Sequence, residues 1–445
     1  MICIPKYVEL IIEKLENHGY EAFLVGGSLR DIMLGKVPND FDITTNAKPD
    51  KIEEIFSTFK TVNIGKEFGT IIVVQEEGNI EITTYRIESD YKDGRRPDQV
   101  SFSNNILDDL GRRDFTINSM AYNKKSGIID PYNGRDDLSK KVIRTVGNPR
   151  ERFKEDHLRI LRGIRFATQL DFKIERETYA AIRDESGSLI NISMERIYSE
   201  FTKILLSHIP SKGINLMLDT NVLELLFPEI MPSVAFDQKN PNHDKDVFMH
   251  SLCVLDSVPP ILDLRLAALF HDIGKPHSFT IDDEGIGHFY GHDKLSVEIT
   301  GNILDRLKAP NELINKVCLL INDHMSQHND IGPKGLKRQI ARLGKDNIFN
   351  LIELQKWDRL CSSPKNNDIE LLLERENNIR SILEYKEPYE KSQLVINGND
   401  IIALGYKEGK LIGEILEYLL EMVLENPELN GLEELKNILM KRFPI

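Results

Sequence analysis

The chain has 445 residues, 40% of them hydrophobic, with 57 Lys and Arg against 71 Asp and Glu and a formal net charge of −14. Such a length supports roughly two to four domains with substantial cores; the acidity argues against a protein that coats RNA nonspecifically, and no stretch is apolar enough for a membrane span. Cys3, Cys253, Cys318 and Cys361 lack a Cys-x-x-Cys spacing, which predicts reduced thiols in the cytoplasm and argues against thiolate zinc; no signal peptide is expected.

In chain order, an amphipathic helical pattern runs from Val8 to Leu15, and Ala22 to Val25 is an apolar run suited to a buried strand. Gly26-Gly27 then forms a backbone-exposing turn, Ser28 is placed to cap a helix through Leu34, and Gly35 to end it. Asp40 and Asp42 flank Phe41. Alternate strand residues share a face, so the two carboxylates stand together while Phe41 turns to the core. The pair is costly unless a divalent cation neutralises it, and hard oxygen ligands beside a phosphate-binding turn suit Mg²⁺ carrying a nucleotide. A polar loop after a helix would use the same residues. Thr70 to Gln75 and Ile80 to Arg86 read as strands joined at Glu76-Glu77-Gly78-Asn79. Glu81 then lies beside the aspartate strand, as a third carboxylate for two-metal chemistry or as an exposed strand residue.

Between Arg86 and Gln99 the chain is charged and poor in core formers, which reads as a mobile loop. Arg112-Arg113 is either a cationic fork for a triphosphate or base edge, or a solvated basic pair. Pro149 to Gln169 reads as one helix on which Asp156 and Arg159 are i, i+3 neighbours. They offer an acceptor and a donor for a base edge, or else a surface ion pair. On that helix Arg165 falls nearly opposite Asp156, so one face cannot carry Asp156, Arg159, Arg162 and Arg165 together, and Arg165 is left for RNA phosphate or an acidic partner. From Ser139 to Arg176, eleven Lys or Arg stand against five Asp or Glu, a local excess fit to hold an RNA end. Past Asp136 helical periodicity dominates, as in Asn215 to Leu226 and Glu370 to Leu383, while Pro232 to Asp246 reads as a polar linker. Asn399 to Gly405 and Lys410 to Leu416 read as two helices around a glycine turn.

Gly26-Gly27-Ser28-Leu29-Arg30-Asp31 with Asp40-Phe41-Asp42 resembles the first signature of the class II tRNA nucleotidyltransferase and bacterial poly(A) polymerase family. The run Arg112-Arg113-Asp114-Phe115-Thr116-Ile117-Asn118-Ser119-Met120-Ala121 resembles its second, Asp130-Pro131-Tyr132-Asn133-Gly134 its hinge, Glu155-Asp156-His157-Leu158-Arg159 its nucleotide-selecting motif, and Glu195-Arg196-Ile197 the supporting helix. The resemblance implies that Asp40 and Asp42, assisted by Glu81, hold Mg²⁺. Gly26, Gly27, Arg30, Arg113 and Asp114 would bind the nucleotide, Asp156 and Arg159 would pair with the base of CTP or ATP, and Arg162 and Arg165 match further nucleotide-contacting positions. Retention of the loop after Arg86 favours adenosine addition. Phe270-His271-Asp272-Ile273-Gly274-Lys275, preceded by His250 and followed by His292, His324 and Asp358, resembles the HD phosphohydrolase superfamily. There His250, His271, Asp272 and Asp358 would hold Mn, Ni, Co or Fe, with His292 and His324 available for a second ion or a phosphate.

The expected architecture is α+β. A nucleotidyltransferase-type mixed-sheet head spans 1–135, a helical neck and body 136–240, an HD domain 241–365 and a helical tail 366–445. The implied activity is addition or repair of the 3′-terminal CCA of tRNA, by in-line attack of the RNA 3′ hydroxyl on the α-phosphate with loss of pyrophosphate. Poly(A) polymerases and A-adding enzymes share every motif quoted. A phosphodiesterase or phosphatase centred on the HD region, with a degenerate RNA-binding head, is the alternative of another class, and a tRNA-binding scaffold is a third. The partners implied are a tRNA 3′ end, CTP and ATP, with neither DNA nor membrane.

Overall fold

The computed structural model describes residues 2–89, 99–328, 331–363 and 368–444, so most of the loop expected after Arg86 lies outside the described residues. The chain forms two compact units, Met1–Pro228 and Glu229–Ile445.

The first unit is built on strands β1 (Ala22–Val25), β2 (Phe41–Thr45), β3 (Lys60–Gly65), β4 (Thr70–Val74) and β5 (Asn79–Thr84). A separate antiparallel ribbon follows, β6 (Arg86–Ser89) with β7 (Gln99–Phe102), and then β8 (Ala121–Asn123) and β9 (Gly127–Ile129). The seven-stranded sheet has the order β3-β4-β5-β2-β1-β8-β9. Among the described residues of this sheet, β2 and β5 are the parallel pair, in a register that sets Asp42 against Glu81. Helices α1 (Lys6–Asn17), α2 (Gly26–Met33), α3 (Pro49–Ile55) and α4 (Ile106–Gly111) accompany the sheet. Strand alternation feeds two cores. Ala22 and Leu24 join Leu15, Ile43, Ile52 and Ile80 on one side, and Phe23 and Val25 join Tyr85, Ile106 and Leu110 on the other. β1 is thus covered on both faces, which is why it reads as a continuous apolar run. Each large side chain so buried contributes about 1.5–3 kcal/mol.

Local details depart from the sequence reading. α2 starts at Gly26, with Val25 as its cap; Ser28 lies in the first turn and its hydroxyl donates to the Val25 carbonyl at 2.8 Å. Gly35 ends the helix at φ +72°, a left-handed conformation that glycine adopts without strain. The helical part of this unit comprises α5 (Gly134–Lys140), α6 (Pro149–Glu155), α7 (Arg159–Gln169), α8 (Arg176–Glu185), α9 (Met194–Leu205), α10 (Pro210–Asp219) and α11 (Val222–Leu226). The single helix expected from Pro149 to Gln169 is therefore two. Asp156 is extended, with φ −139° and ψ 104°, and its carboxylate accepts the Leu158 amide at 3.2 Å, a local bond that competes with helical continuation. The pattern from Asn215 to Leu226 is likewise interrupted, at Asn221 with φ +61°.

The second unit contains α12 (Val247–Ser257), α13 (Leu262–Phe270), α14 (Lys275–Ser278), α15 (His292–Arg306), α16 (Asn311–Asp323), α17 (Pro333–Leu343), α18 (Lys345–Cys361) and α19 (Glu370–Glu384). After these come α20 (Gly398–Ala403), α21 (Lys410–Glu425) and α22 (Leu432–Arg442), which close a separate apolar cluster around Ile401, Ile415, Leu419 and Leu439. The segment from Pro232 to Asp246 is packed rather than a free linker. Gln238 is buried, the Lys239 carbonyl accepts the Gly287 amide at 2.8 Å, and a Cβ on Gly287 would meet the Gln238 carbonyl oxygen at 2.1 Å. Only glycine permits that approach. No described helix is long and apolar enough to cross a membrane.

Candidate nucleotide and metal sites

In the first unit, a cavity of about 700 Å³ is lined by Gly26, Gly27, Arg30, Asp40, Asp42, Arg113, Asp114, Asp156, Arg159, Arg162 and Arg165. It thus brings together every nucleotide-binding position expected from the sequence. Arg86, Arg112, Arg196, Lys203, Phe68, Asn118, Leu158 and Phe166 complete its wall. Nine Arg and Lys side chains face four aspartates there, the reverse of the chain's acidic balance, which suits a polyanion.

The N-terminal turn of α2 presents Gly26 and Gly27 to the cavity, and the positive end of a helix there favours an anion. Gly26 has φ +71°, and a Cβ on it would stand 3.1 Å from Arg113 Nη1 and 3.3 Å from Asp42 Oδ2. Glycine turn, arginine and aspartate therefore converge on one point. Asp40 sits exposed just before β2, Asp42 is half-buried within it, and Phe41 between them is buried. Burial pushes the Asp42 carboxyl up to about 6; Arg113 opposes the rise, while Glu81 and Asp40 add to it. Three crowded carboxylates of which the most buried resists ionisation are a donor set that fits a hard divalent cation. Glu81 is exposed on β5 and does not line the cavity.

Asp156 and Arg159 do not pair with each other. Asp156 accepts from Arg196 Nη2 of α9 at 3.0 and 3.2 Å, whereas Arg159 is paired with Glu155 and donates to the Arg112 carbonyl at 2.9 Å. Arg165 also lines the cavity, contrary to the helical-wheel expectation, because Asp156 lies off the helix. Its acidic partner is the buried Glu200, 2.6 Å away. The guanidinium carbons of Arg165, Arg162 and Arg30 lie 4.1, 5.4 and 5.2 Å from the centre of the Phe166 ring, a cation–π cluster that gathers them. Arg162 donates to Asp114 Oδ2 at 2.8 and 2.6 Å. Burial alone would raise Asp114, but Arg162 holds its carboxyl well below the usual range. Arg30 donates to Asp31 and to Asn118, each at 2.8 Å. Lys203, Phe68 and Arg86 have no signal in the sequence, whereas Arg196 belongs to the Glu195-Arg196-Ile197 motif read there as the supporting helix.

In the second unit, His250, His271, Asp272 and Asp358 form one buried group, and Asp272, His292 and His324 another, each with ligand atoms within 4.8 Å of one another. His250 Nε2 is 2.9 Å from Asp358 Oδ1, His271 Nε2 is 3.2 Å from Asp272 Oδ2, and His292 Nε2 is 3.3 Å from Asp272 Oδ1. The Nδ1 atoms of His250, His271, His292 and His324 donate to the carbonyls of Cys361, Ala268, Phe289 and Ile321. All four rings therefore turn Nε2 inward, the arrangement by which outer hydrogen bonds orient metal-binding imidazoles. Burial would lower His271, yet Asp272 and Asp358 push it up to about 10: with two buried carboxylates nearby, the ring keeps a proton whose place a cation can take. His271 Nε2 and Asp272 Oδ2 are buried 3.2 Å apart, close enough for one small ion to be shared between them. Lys275, the last residue of the motif, is buried against Asp272 Oδ2 at 2.7 Å and Gln238 Oε1 at 3.0 Å. Two cysteines read as free thiols, Cys253 and Cys361, form a disulfide between α12 and α18. Their 108-residue separation hides a pairing that only the packing of the two helices creates.

The poly A polymerase head domain family matches residues 22–144, the probable RNA and SrmB-binding site of polymerase A matches 171–233, and the HD domain matches 249–362. A CCA-adding enzyme of Staphylococcus haemolyticus is 34% identical over 430 residues, covering 96% of this chain and 95% of that one. The chain belongs to the CCA-adding enzyme family. A second member, from Ligilactobacillus salivarius, is 48% identical over 212 residues; this match spans 48% of the chain and about half, 52%, of the relative's length. The crystal structure of the Bacillus stearothermophilus CCA-adding enzyme in complex with CTP superposes with a TM-score of 0.70 at 26% identity, over 99% of this chain and 98% of that one. The family thus carries a nucleotidyltransferase head on the mixed sheet described above, followed by helical parts.

Proposed function

We propose that the first unit transfers CMP and AMP from CTP and ATP to the 3′ end of a tRNA, completing or repairing CCA. The observation that carries this reading is the cationic cavity that gathers Gly26, Arg113, Asp42, Asp156 and Arg159 in one wall, in a chain whose relatives over almost its whole length are CCA-adding enzymes. Asp40 and Asp42, with Glu81 assisting, would hold Mg²⁺, which supplies neutralisation of the phosphate charge and activation of the hydroxyl. Arg113 and the α2 amides bind the triphosphate, so that the leaving pyrophosphate is stabilised by fixed donors. Asp156 and Arg159, each braced by a separate neighbour, present an acceptor and a donor to the base edge. The RNA 3′ hydroxyl attacks the α-phosphorus in line; the bond to the β-phosphate oxygen breaks and pyrophosphate departs. The functional parts on this reading remain the head at 1–135, neck and body to 240, HD region to 365 and tail, acting in the cytoplasm.

The test is incorporation into tRNA transcripts ending before the first C, the second C or the terminal A, with each labelled nucleotide separately. Stepwise addition of C, C and A supports the reading; long tails from ATP alone, or addition of A only, would replace it with a poly(A) or A-adding activity. The buried imidazole and carboxylate groups of the second unit favour an additional metal-dependent phosphohydrolase activity. His250, His271, Asp272 and Asp358 would hold a divalent transition metal there, which supplies polarisation of a phosphoester and a bound nucleophile.

A further inference from the structure

Asp109, on α4, faces neither cavity nor solvent: its side chain is fully buried. Both oxygens are occupied. Oδ1 accepts Arg112 Nε at 3.0 Å and Nη2 at 2.6 Å, and Oδ2 accepts Arg113 Nη2 at 3.0 Å and the Thr44 hydroxyl at 3.2 Å. Thr44 lies on β2, two residues past Asp42. One carboxylate thus ties the strand that bears Asp42 to the arginine beside it. Of the Arg113 donors, Nη2 is anchored on Asp109, Nη1 stands at the corner shared by Gly26 and Asp42, and the buried Nε has no hydrogen-bond partner. An arginine fastened through Nη2, with Nη1 at the corner of the cavity that it lines, is preorganised for an anion.

We propose that Asp109 is a positioning residue for the nucleoside triphosphate, fixing the Arg113 guanidinium at the Gly26–Asp42 corner of the head cavity. This rests on the nucleotidyl-transfer reading above and extends it to a residue that touches no substrate. A role in folding alone would not require a charge here. Ile106 and Leu110 of α4 already pack against Phe23, Val25 and Tyr85, and an apolar residue at 109 would fill the space without burying an ionised group, whose desolvation is costly unless paired. The Asp109 carboxylate is instead paired with two arginines that both line the cavity.

The test measures steady-state CMP and AMP incorporation into tRNA lacking CCA, together with direct CTP binding in Mg²⁺, for the full-length chain and D109N, R113A, R113K and the D109N/R113A double variant. D109N should raise the KM for both CTP and ATP about tenfold, leaving kcat within about threefold and the KM for tRNA within about twofold. The choice between CTP and ATP should not change, because Asp156 and Arg159 are untouched. The double variant should be no worse than R113A, since Asp109 acts through that arginine. A folded D109N with an unchanged nucleotide KM, or losses that multiply in the double variant, overturns the proposal. Should D109N fail to fold, R113K decides. A lysine cannot bridge Asp109 and a phosphate as the fork does, so R113K should behave like R113A, and a wild-type KM in R113K overturns the proposal. Wild-type protein that neither binds CTP nor incorporates it would instead overturn the nucleotidyl-transfer reading itself.

Discussion

In the first unit, Asp40 and Asp42 stand at the edge of a cavity of about 700 Å³ walled by nine cationic side chains. In the second, His250, His271, Asp272 and Asp358 are all buried, with ligand atoms within 4.8 Å, beside a cavity of about 270 Å³. The first arrangement balances carboxylates with arginines spread over a wide wall, so the charge it lacks is that of a large anion arriving with its own cation. The second balances carboxylates with imidazoles, each locked by a backbone carbonyl, so the charge it lacks is that of a small ion held in place. Open, cationic and oxygen-donating suits an exchangeable nucleotide; closed and nitrogen-rich suits a retained metal.

The sharpest way to break that comparison is to remove one acid from each site. Asp42→Ala should lower nucleotide incorporation on the order of 10³-fold or more while leaving metal bound by the second unit unchanged in elemental analysis. Asp272→Ala should strip that metal and leave incorporation within a few-fold. If Asp272→Ala abolished incorporation and Asp42→Ala did not, the assignment of the two sites would be reversed.

A smaller effect probes how the head cavity holds its selecting groups. Arg196→Ala frees the Asp156 carboxylate from its partner on α9, so misincorporation between CTP and ATP should rise about tenfold while the KM for triphosphate changes little. Single-nucleotide incorporation on defined tRNA ends measures both. Unchanged fidelity would show that Asp156 is oriented by its own turn alone.

The smallest effect concerns acid stability. Asp114 is held below the ordinary carboxylate range by Arg162. Its contribution is therefore complete above the unfolded value of about 3.9 and is lost as pH falls below it toward the folded value. Asp114→Asn should lower the melting temperature at neutral pH, and its deficit relative to wild type should narrow in thermal melts from about pH 4 downward. A deficit constant from pH 7 to 3 would place the pair's contribution in packing rather than charge.

Much of this was legible in advance because it depends on local spacing. The two-sided burial of Ala22–Val25, the Asp40–Phe41–Asp42 alternation, the strand pair that carries Glu81 and the helical tail all follow from period and turn chemistry. One kind of inference that failed assumed a continuous helix. Asp156 breaks the run from Pro149 to Gln169 by bonding its own backbone, and this lets Asp156 share the cavity wall with Arg165. Asp109 was also missed, because in sequence Asp108-Asp109 is indistinguishable from two acids in the first turn of a short helix.

The amino-acid order by itself determined which residues carry charge, which strands are apolar on both faces and which motifs place this chain in its family. Only the tertiary structure decided that Asp156 pairs with Arg196, that Cys253 meets Cys361 and that one buried carboxylate organises Arg112, Arg113 and Thr44. The reason is physical: periodicity acts over a few residues along one element, whereas ion pairs and disulfides form wherever packing brings distant elements within a few ångströms.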